Sequence, residues 1–455
     1  MTLRTLDEIE DRPKNMSPTK QDTAQGGSSG HYKWVVVAVF WVVYFVNQAD
    51  RQVIFSVFPL LQRNLGLSNT QLGLLGSSFQ WVYALLVPVA GSLGDMMSRR
   101  NLIALALVVW SLATFSSGLV AGFALLLALR ALTGAGEAFY YPAATSIIAD
   151  YHGQKTRAFA MSVHQTGVYS GIVCSGALAG YIGQVYGWRL AFMTFGGVGL
   201  LAALLVRKGI REPRRGQAEA GAVRGMVVLP LRQRVAEIFS NSTVVPLMLA
   251  FLAMNFVNVA CLTWTPTLLY QKFHMSLAQS GFHATFYHHL GAFLGVLAGG
   301  RLADRWARRT RLSRPLIQCA GLALGAPFVF LVGRADSSTV VFVSLGLFGL
   351  FRGLYDSNLF ASLYEVIRPE ARATATGIML AVAFLGGGSA AVAVGWLSER
   401  IGLDSALAST SVFYLLAAGL LLATCIFWFR RDSAATQAAI LGDLGCRGKI
   451  GIAHV

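Results

Sequence analysis

The chain holds 455 residues, 55% of them hydrophobic and only 13% charged, with a net charge of +16. Soluble domains carry about a quarter of their residues as charges, so this composition leaves too little polar surface for a water-soluble protein. A strong positive balance in a soluble chain would suggest nucleic acid, but the cations here are placed as membrane topology requires, and no nucleic-acid partner is expected.

Residues 1–33 are polar, with five acids, five bases and no apolar core of a signal peptide, and are expected to form a disordered cytoplasmic tail. Apolar packets follow, each long enough to cross a bilayer as helix, which takes about 20 residues. They predict spans at 34–62, 71–94, 101–120, 123–148, 158–185, 189–206, 243–270, 279–302, 315–333, 339–364, 373–398 and 405–429. Residues 207–242, with eight Lys or Arg and several Gly and Pro, read as a cytoplasmic linker between six-helix halves at 34–206 and 243–430, and 431–455 as a C-terminal tail. The expected fold is an all-α polytopic membrane protein of twelve transmembrane helices in two pseudo-symmetric halves.

Five cations (Arg63, Arg189, Lys272, Arg334, Arg400) fall in the odd-numbered loops and three (Arg51, Arg130, Arg352) within spans, while the other 29 of 37 lie on the side of the termini. Short loops rich in Lys and Arg stay cytoplasmic, so both termini are expected inside an inner or plasma membrane. Cys174, Cys261, Cys319 and Cys425 fall in spans and Cys446 in the tail, with no disulfide framework or metal spacing. No nucleotide-binding loop or hydrolase motif appears, so neither an enzyme activity nor a cofactor is expected.

The chain repeats itself. Gly91-Ser-Leu-Gly-Asp-Met-Met-Ser-Arg-Arg100 aligns without gaps on Gly300-Arg-Leu-Ala-Asp-Arg-Trp-Ala-Arg-Arg309, sharing five of ten positions at an offset of 209. At an offset of 215, Tyr140 falls on Tyr355, Asp150 on Glu365, Arg157 on Arg372, and Gly187 on Gly402. Parallel repeats with a substrate site between them near mid-membrane are the plan of one large transporter fold.

Six ionisable residues lie well inside spans: Asp50 and Arg51 in the first, Arg130 and Glu137 in the fourth, Arg352 and Asp356 in the tenth. A charge at mid-bilayer costs about 2.5–3.5 kcal/mol even on insertion scales, and such residues are functional candidates. Arg130 and Glu137 are two helical turns apart on one face, with Thr133, Tyr140 and Tyr141 along or beside it. Asn47, Asp50 and Arg51 follow helical spacing, as do Arg352, Tyr355 and Asp356. The competing reading is three neutralised pairs that only lock helices together.

Gly-x-Leu-x-Asp-x-x-x-Arg-Arg after the second span, echoed after the eighth, resembles the signature loop of the major facilitator superfamily, with Met96 and Ser98 departing from its usual pattern. The resemblance implies a cytoplasmic gate built from Gly91, Asp95, Arg99 and Arg100, and from Asp304 and Arg308 in the second copy. Asn47-Gln-Ala-Asp-Arg-Gln52 and Arg130-Ala-Leu-Thr-Gly-Ala-Gly-Glu-Ala138 resemble elements shared by the anion:cation symporters and the Spinster-like lipid transporters. The symporter resemblance implies that Asp50 and Glu137 carry protons and that Arg51 and Arg130 hold a substrate anion. In the empty carrier each acid is expected to neutralise an Arg, and a bound carboxylate that takes over the Arg leaves the acid to accept a proton.

Further candidates for the cavity are His164 and Gln165 in the fifth span, Asn255 and Asn258 in the seventh, and Tyr287 or His288 in the eighth. Adjacent His288 and His289 point about 100° apart on a helix, and no carboxylate lies within a turn, so no metal site is expected. The expected partners are a small anionic substrate, protons and membrane lipid, with the chain acting as a monomer. The expected function is proton-coupled symport of an organic anion such as a sugar acid, with Spinster-like transport of a lysophospholipid as the alternative. A non-transporting membrane sensor is a third class, disfavoured by matched Asp and Arg in both halves.

Overall fold

The computed structural model describes residues 20–214, 217–219 and 230–439, and among them it contains helices and no strands. Twelve helical spans run in chain order. The first is Lys20–Ser56, extended past a kink by Phe58–Leu65, where Pro59 lies in the first turn and loses no helical bond. Asn69–Met96, Arg99–Ser117, then Phe123–Glu137 with Tyr140–Tyr151, Gln154–Tyr186 and Trp188–Gly209 complete the first half. Val244–Phe273, Leu277–Ala307, Ser313–Arg334, then Ser338–Asp356 with Leu359–Val366, Arg372–Gly388 with Ala390–Ile401, and a last span beginning with Leu403–Ser409 form the second.

Eleven of the described helices are long and apolar enough to cross a membrane. The twelfth, Leu277–Ala307, is 31 residues long, but His283, His288, His289, Arg301, Asp304 and Arg305 lower its hydropathy. The ends differ from expectation in two places. The first helix begins at Lys20, inside the stretch expected to be disordered, because no Pro falls between Pro18 and Pro59 to stop it. The last span continues as helix to residue 439, past the expected start of the tail. The rest of both tails, residues 215–216 and residues 220–229 of the linker lie outside the described residues.

Pseudo-symmetry reaches atomic detail. Spans two and eight start with the same capping box, Ser68 with Gln71 and Ser276 with Gln279, which satisfies two orphan N–H groups in each. Arg157 donates to the carbonyls of Ala149 and His152, and Arg372 donates to those of Tyr364 and Ile367, residues 215 positions further on. The turns into spans six and twelve place Gly187 at φ 89° and Gly402 at φ 84°, a left-handed region that favours glycine at both matched positions.

The halves meet toward the face opposite the termini. Asn69 donates to Ser398, the Thr70 N–H to Glu399, Ser77 to the Gly388 carbonyl, and Gln184 accepts from the Leu277 N–H. An apolar cluster of Phe58, Leu61, Leu72, Trp264, Leu268 and Val394 seals the same region. Glycine lets the helices approach: a Cβ on Gly281 would run into the Gly176 backbone, and one on Gly73 into that of Ala391, residue 176 moved by 215.

Candidate functional site

Span four breaks immediately after Glu137. Pro142 has no N–H, and its ring crowds the carbonyl of residue 138, so the helix restarts at Tyr140. Before the break, Glu137 turns its carboxylate into the bundle, and Arg51 reaches it from span one with Nε 2.6 Å from Oε2. The Glu137 side chain is fully buried and that of Arg51 is 22% exposed, so the guanidinium faces the inter-half space. Removing one partner from such a pair costs about 3–5 kcal/mol. Arg51 lies 4.4 Å from the Tyr83 ring centroid and 5.1 Å from that of Phe79, and Arg130 stands 4.9 Å from the same Phe79 ring. Arg130 is buried, and its Nε and Nη2 have no hydrogen-bond partner among the described residues.

A second polar centre stands in the other half. Arg352 donates from Nη1 to Asn258 Oδ1 at 2.7 Å and to His288 Nε2 at 2.9 Å, while its Nε lies 3.2 Å from Asp356 Oδ2. A cavity of about 140 Å³ lies between the centres, lined by Gln48, Arg51, Gln52, Phe55, Phe79, Gln80 and Arg130 from the first half and by Asn255, Asn258, Val259, Leu262, Thr263 and Phe384 from the second. The walls correspond: 48, 51, 52 and 55 of span one become 255, 258, 259 and 262 of span seven at an offset of 207.

The expected residues divide by this geometry. Arg51, Arg130, Asn255 and Asn258 line the cavity, Glu137 is tied to it through Arg51, and Arg352 and Asp356 through Asn258. Asn47 is buried beside them and accepts from Gln48 Nε2 at 3.0 Å. Asp50 is not the partner of Arg51. Its carboxylate points away from Arg51, into the packing of spans one, three and six beside Trp110, Ser111 and Gly199, within electrostatic reach of Arg130. The pairing is therefore crossed between spans, Arg51 with Glu137, because adjacent residues on a helix diverge by about 100°.

Tyr140 is wholly buried, donating to the Phe40 carbonyl at 2.7 Å and bonded to His164 Nε2 at 2.9 Å. His164 in turn stacks on Tyr44, which makes this an aromatic support behind the cavity wall. Tyr141 is exposed beside Tyr44, and Gln165 is exposed on span five. Tyr287 stacks on Phe342 and His283 within a separate apolar cluster, and Tyr355 lies inside the core of the second half.

At the terminal face, Arg99 is buried and binds Asp150 at 2.5 Å and Glu212 at 2.9 Å, joining the ends of spans three, four and six. Burial works against the Glu212 charge, but the Arg100 N–H, Arg99 and Ser98 together hold its carboxyl below the ordinary Glu value. The helix backbone runs through Gly91 and Asp95, but the surroundings of Gly91 and the side chain of Asp95 lie outside what is described. The second-half counterpart of Arg99 is Arg314, which pairs with Glu365, both at the 215 offset. Arg308, expected there from the gap-free repeat, is exposed, and Asp304 lies 3.8 Å from Arg314. The second loop is longer by several residues, which shifts the register after the motif.

Phe79 and Tyr83 as guanidinium platforms and Gln48, Gln52 and Gln80 on the wall were not among the expected site residues, whereas His288, a candidate from the sequence, stands behind the wall on Arg352. A repeat search allowing a separate offset for each span would have exposed the wall positions.

Two six-helix halves sealed on one face, with a charged cavity at mid-span, define a membrane carrier. The sequence pattern of the Major Facilitator Superfamily matches residues 40–332 and 291–442. The chain belongs to that superfamily and is an integral membrane transporter. It is 28% identical over 396 residues to Protein spinster homolog 1 of Xenopus laevis, covering 81% of this chain and 73% of that protein. It is 26% identical to a probable galactarate/D-glucarate transporter of Bacillus subtilis, covering 71% of this chain and 77% of the relative. The structure of a bacterial homolog of the human lysosomal transporter Spinster, inward-facing and unoccupied, matches its fold with a TM-score of 0.78 at 23% identity, covering 88% of this chain and 98% of that one.

Proposed function

We propose that the chain is a proton-coupled symporter of a small organic anion of the sugar-acid type, working by alternating access between halves 34–206 and 243–430. The observation that carries this reading is Arg130, buried in the cavity wall with two unpartnered donors beside the Arg51–Glu137 pair. Buried guanidinium donors left without acceptors are costly, and a carboxylate bridging Arg51 and Arg130 over Phe79 satisfies both. The anion displaces Glu137 from Arg51, and the displaced acid, held in a low-dielectric site, accepts a proton. Anion and proton then bind cooperatively, which is the thermodynamic content of symport. Glu137 is the primary proton site. Asp50, behind it, relays the same proton along the path. With both termini on the cytoplasmic side, as the cation distribution supports, the sealed face is external.

Arg99 and Arg314 are the gate anchors at the terminal face, each tying two or more helix ends that move when the halves rock. The phenylalanines and Leu262 on the wall favour a second reading, a lysophospholipid with its head group on the same guanidiniums. A thermal-shift titration of the purified chain separates the two. Stabilisation by galactarate and not by a lysophospholipid supports the anion reading, and the reverse result replaces it.

A further inference from the structure

The two polar centres occupy matched positions with inverted chemistry. Arg51 donates to Glu137 in the first half. In the second, Asn258 stands at the position of Arg51 and Arg352 at that of Glu137, and the bond runs from Arg352 to Asn258. The second half thus lacks an acid where the first keeps its proton site. Another titratable group stands in contact with Arg352 instead. We propose that His288 is a second proton-binding site, loaded when a substrate carboxylate engages Arg352, so that the carrier moves two protons with each anion; this rests on the symport reading above.

The geometry decides the protonation state of the empty carrier. A guanidinium offers only N–H donors, so at 2.9 Å from Arg352 Nη1 the His288 Nε2 must be the lone-pair acceptor. The ring is then neutral, with its proton on Nδ1, which is buried without a hydrogen-bond partner among the described residues. A proton on Nε2 would set two donors against each other beside a full positive charge. His288 is 2% exposed, and its ring packs 4.6 Å from that of Phe348, so it does not swing away.

A carboxylate that binds Arg352 draws Nη1 from Nε2 and brings one negative charge. An N–H bond then forms at Nε2, and the imidazolium offsets the new charge. When the anion leaves, Arg352 returns and the proton is expelled. The groups around this centre include two other bases, Asp356 and His289: Arg352 and Asp356 come from span ten, Asn258 and Cys261 from span seven, Tyr414 from span twelve, Tyr169 from span five, and His289 from the same helix as His288. Asp356 stays with the Arg352 Nε, and His289 Nδ1 is bonded to the Thr285 carbonyl.

His288→Gln tests the idea, since its amide oxygen still accepts from Arg352 but does not titrate. In proteoliposomes containing the full chain, the reversal potential for galactarate should report two protons per anion for the parent and one for H288Q. The same coupling number in both overturns the proposal. Calorimetry in buffers of different ionisation enthalpy gives a second readout that needs no transport. Galactarate binding should take up about twice as many protons in the parent as in H288Q, and equal uptake in both overturns it. A parent that binds galactarate with no proton uptake refutes the symport reading itself, a distinct result.

Discussion

Glu137→Gln removes one charge from the centre and keeps its shape. At mid-span, two unit charges about 4 Å apart attract by about 4 kcal/mol at an effective dielectric of 20. The glutamine oxygen still accepts from Arg51, and a hydrogen bond to a charged group retains about 1.5–3 kcal/mol of that. What is lost in the empty carrier is therefore about 1–2.5 kcal/mol. An arriving anion no longer has to displace a carboxylate from Arg51, so the same amount appears as affinity, about five- to seventyfold. The linkage has a sign. Anion affinity of the parent should rise as pH falls, because protonating Glu137 frees Arg51, whereas E137Q should be tight at all pH values with a flatter profile. Calorimetric titration with galactarate at pH 5.5 and 7.5 measures both. If E137Q binds more weakly than the parent at pH 7.5, or keeps the parent's pH slope, the exchange mechanism is wrong.

Arg130→Ala should weaken galactarate binding by at least a hundredfold at about 1.5–3 kcal/mol for each charged hydrogen bond lost, without altering the thermal stability of the empty protein by as much; calorimetry and melting temperature together check it. Gly281→Val should wedge spans five and eight apart at the sealed face, where a side chain meets the Gly176 backbone. It should abolish uptake while binding persists, and cysteine labelling from the external side should rise. At the terminal face, Glu212 has a depressed pKa, so its share of stability is present above the ordinary Glu value of about 4.3 and is lost as pH falls through the folded value. Glu212→Gln should lower the melting temperature at pH 7, and the difference from the parent should close only as pH falls through the folded pKa of Glu212, below the ordinary Glu value.

The twelve spans were legible because lipid imposes a strong local signal, about 20 apolar residues per crossing. Only Leu277–Ala307 stood out against it, and its histidines and arginines explain why. The halves were legible from Tyr140 and Tyr355, Arg157 and Arg372, and Gly187 and Gly402, whose matched turns the structure reproduces. The cavity was readable only in part. Helical spacing put Arg130 and Glu137 on one face, but it could not say which acid meets which Arg. Asp50 and Arg51 are neighbours in sequence and face different spans in space, which depends on how span one is rotated in the bundle. Arg314 was missed because the second loop is longer, so the motif and the ion pair that follows it keep different offsets. The contacts of Phe79 and His288 with the guanidiniums were not legible, since a ring beneath a guanidinium and an imidazole beside one are defined only by tertiary contact.

Proteoliposome uptake of galactarate with and without an imposed inward proton gradient tests the symport reading most directly. Accumulation above equilibrium that requires the gradient and collapses with a protonophore is the expected result. Equilibration at the same rate and to the same level with or without the gradient would contradict it.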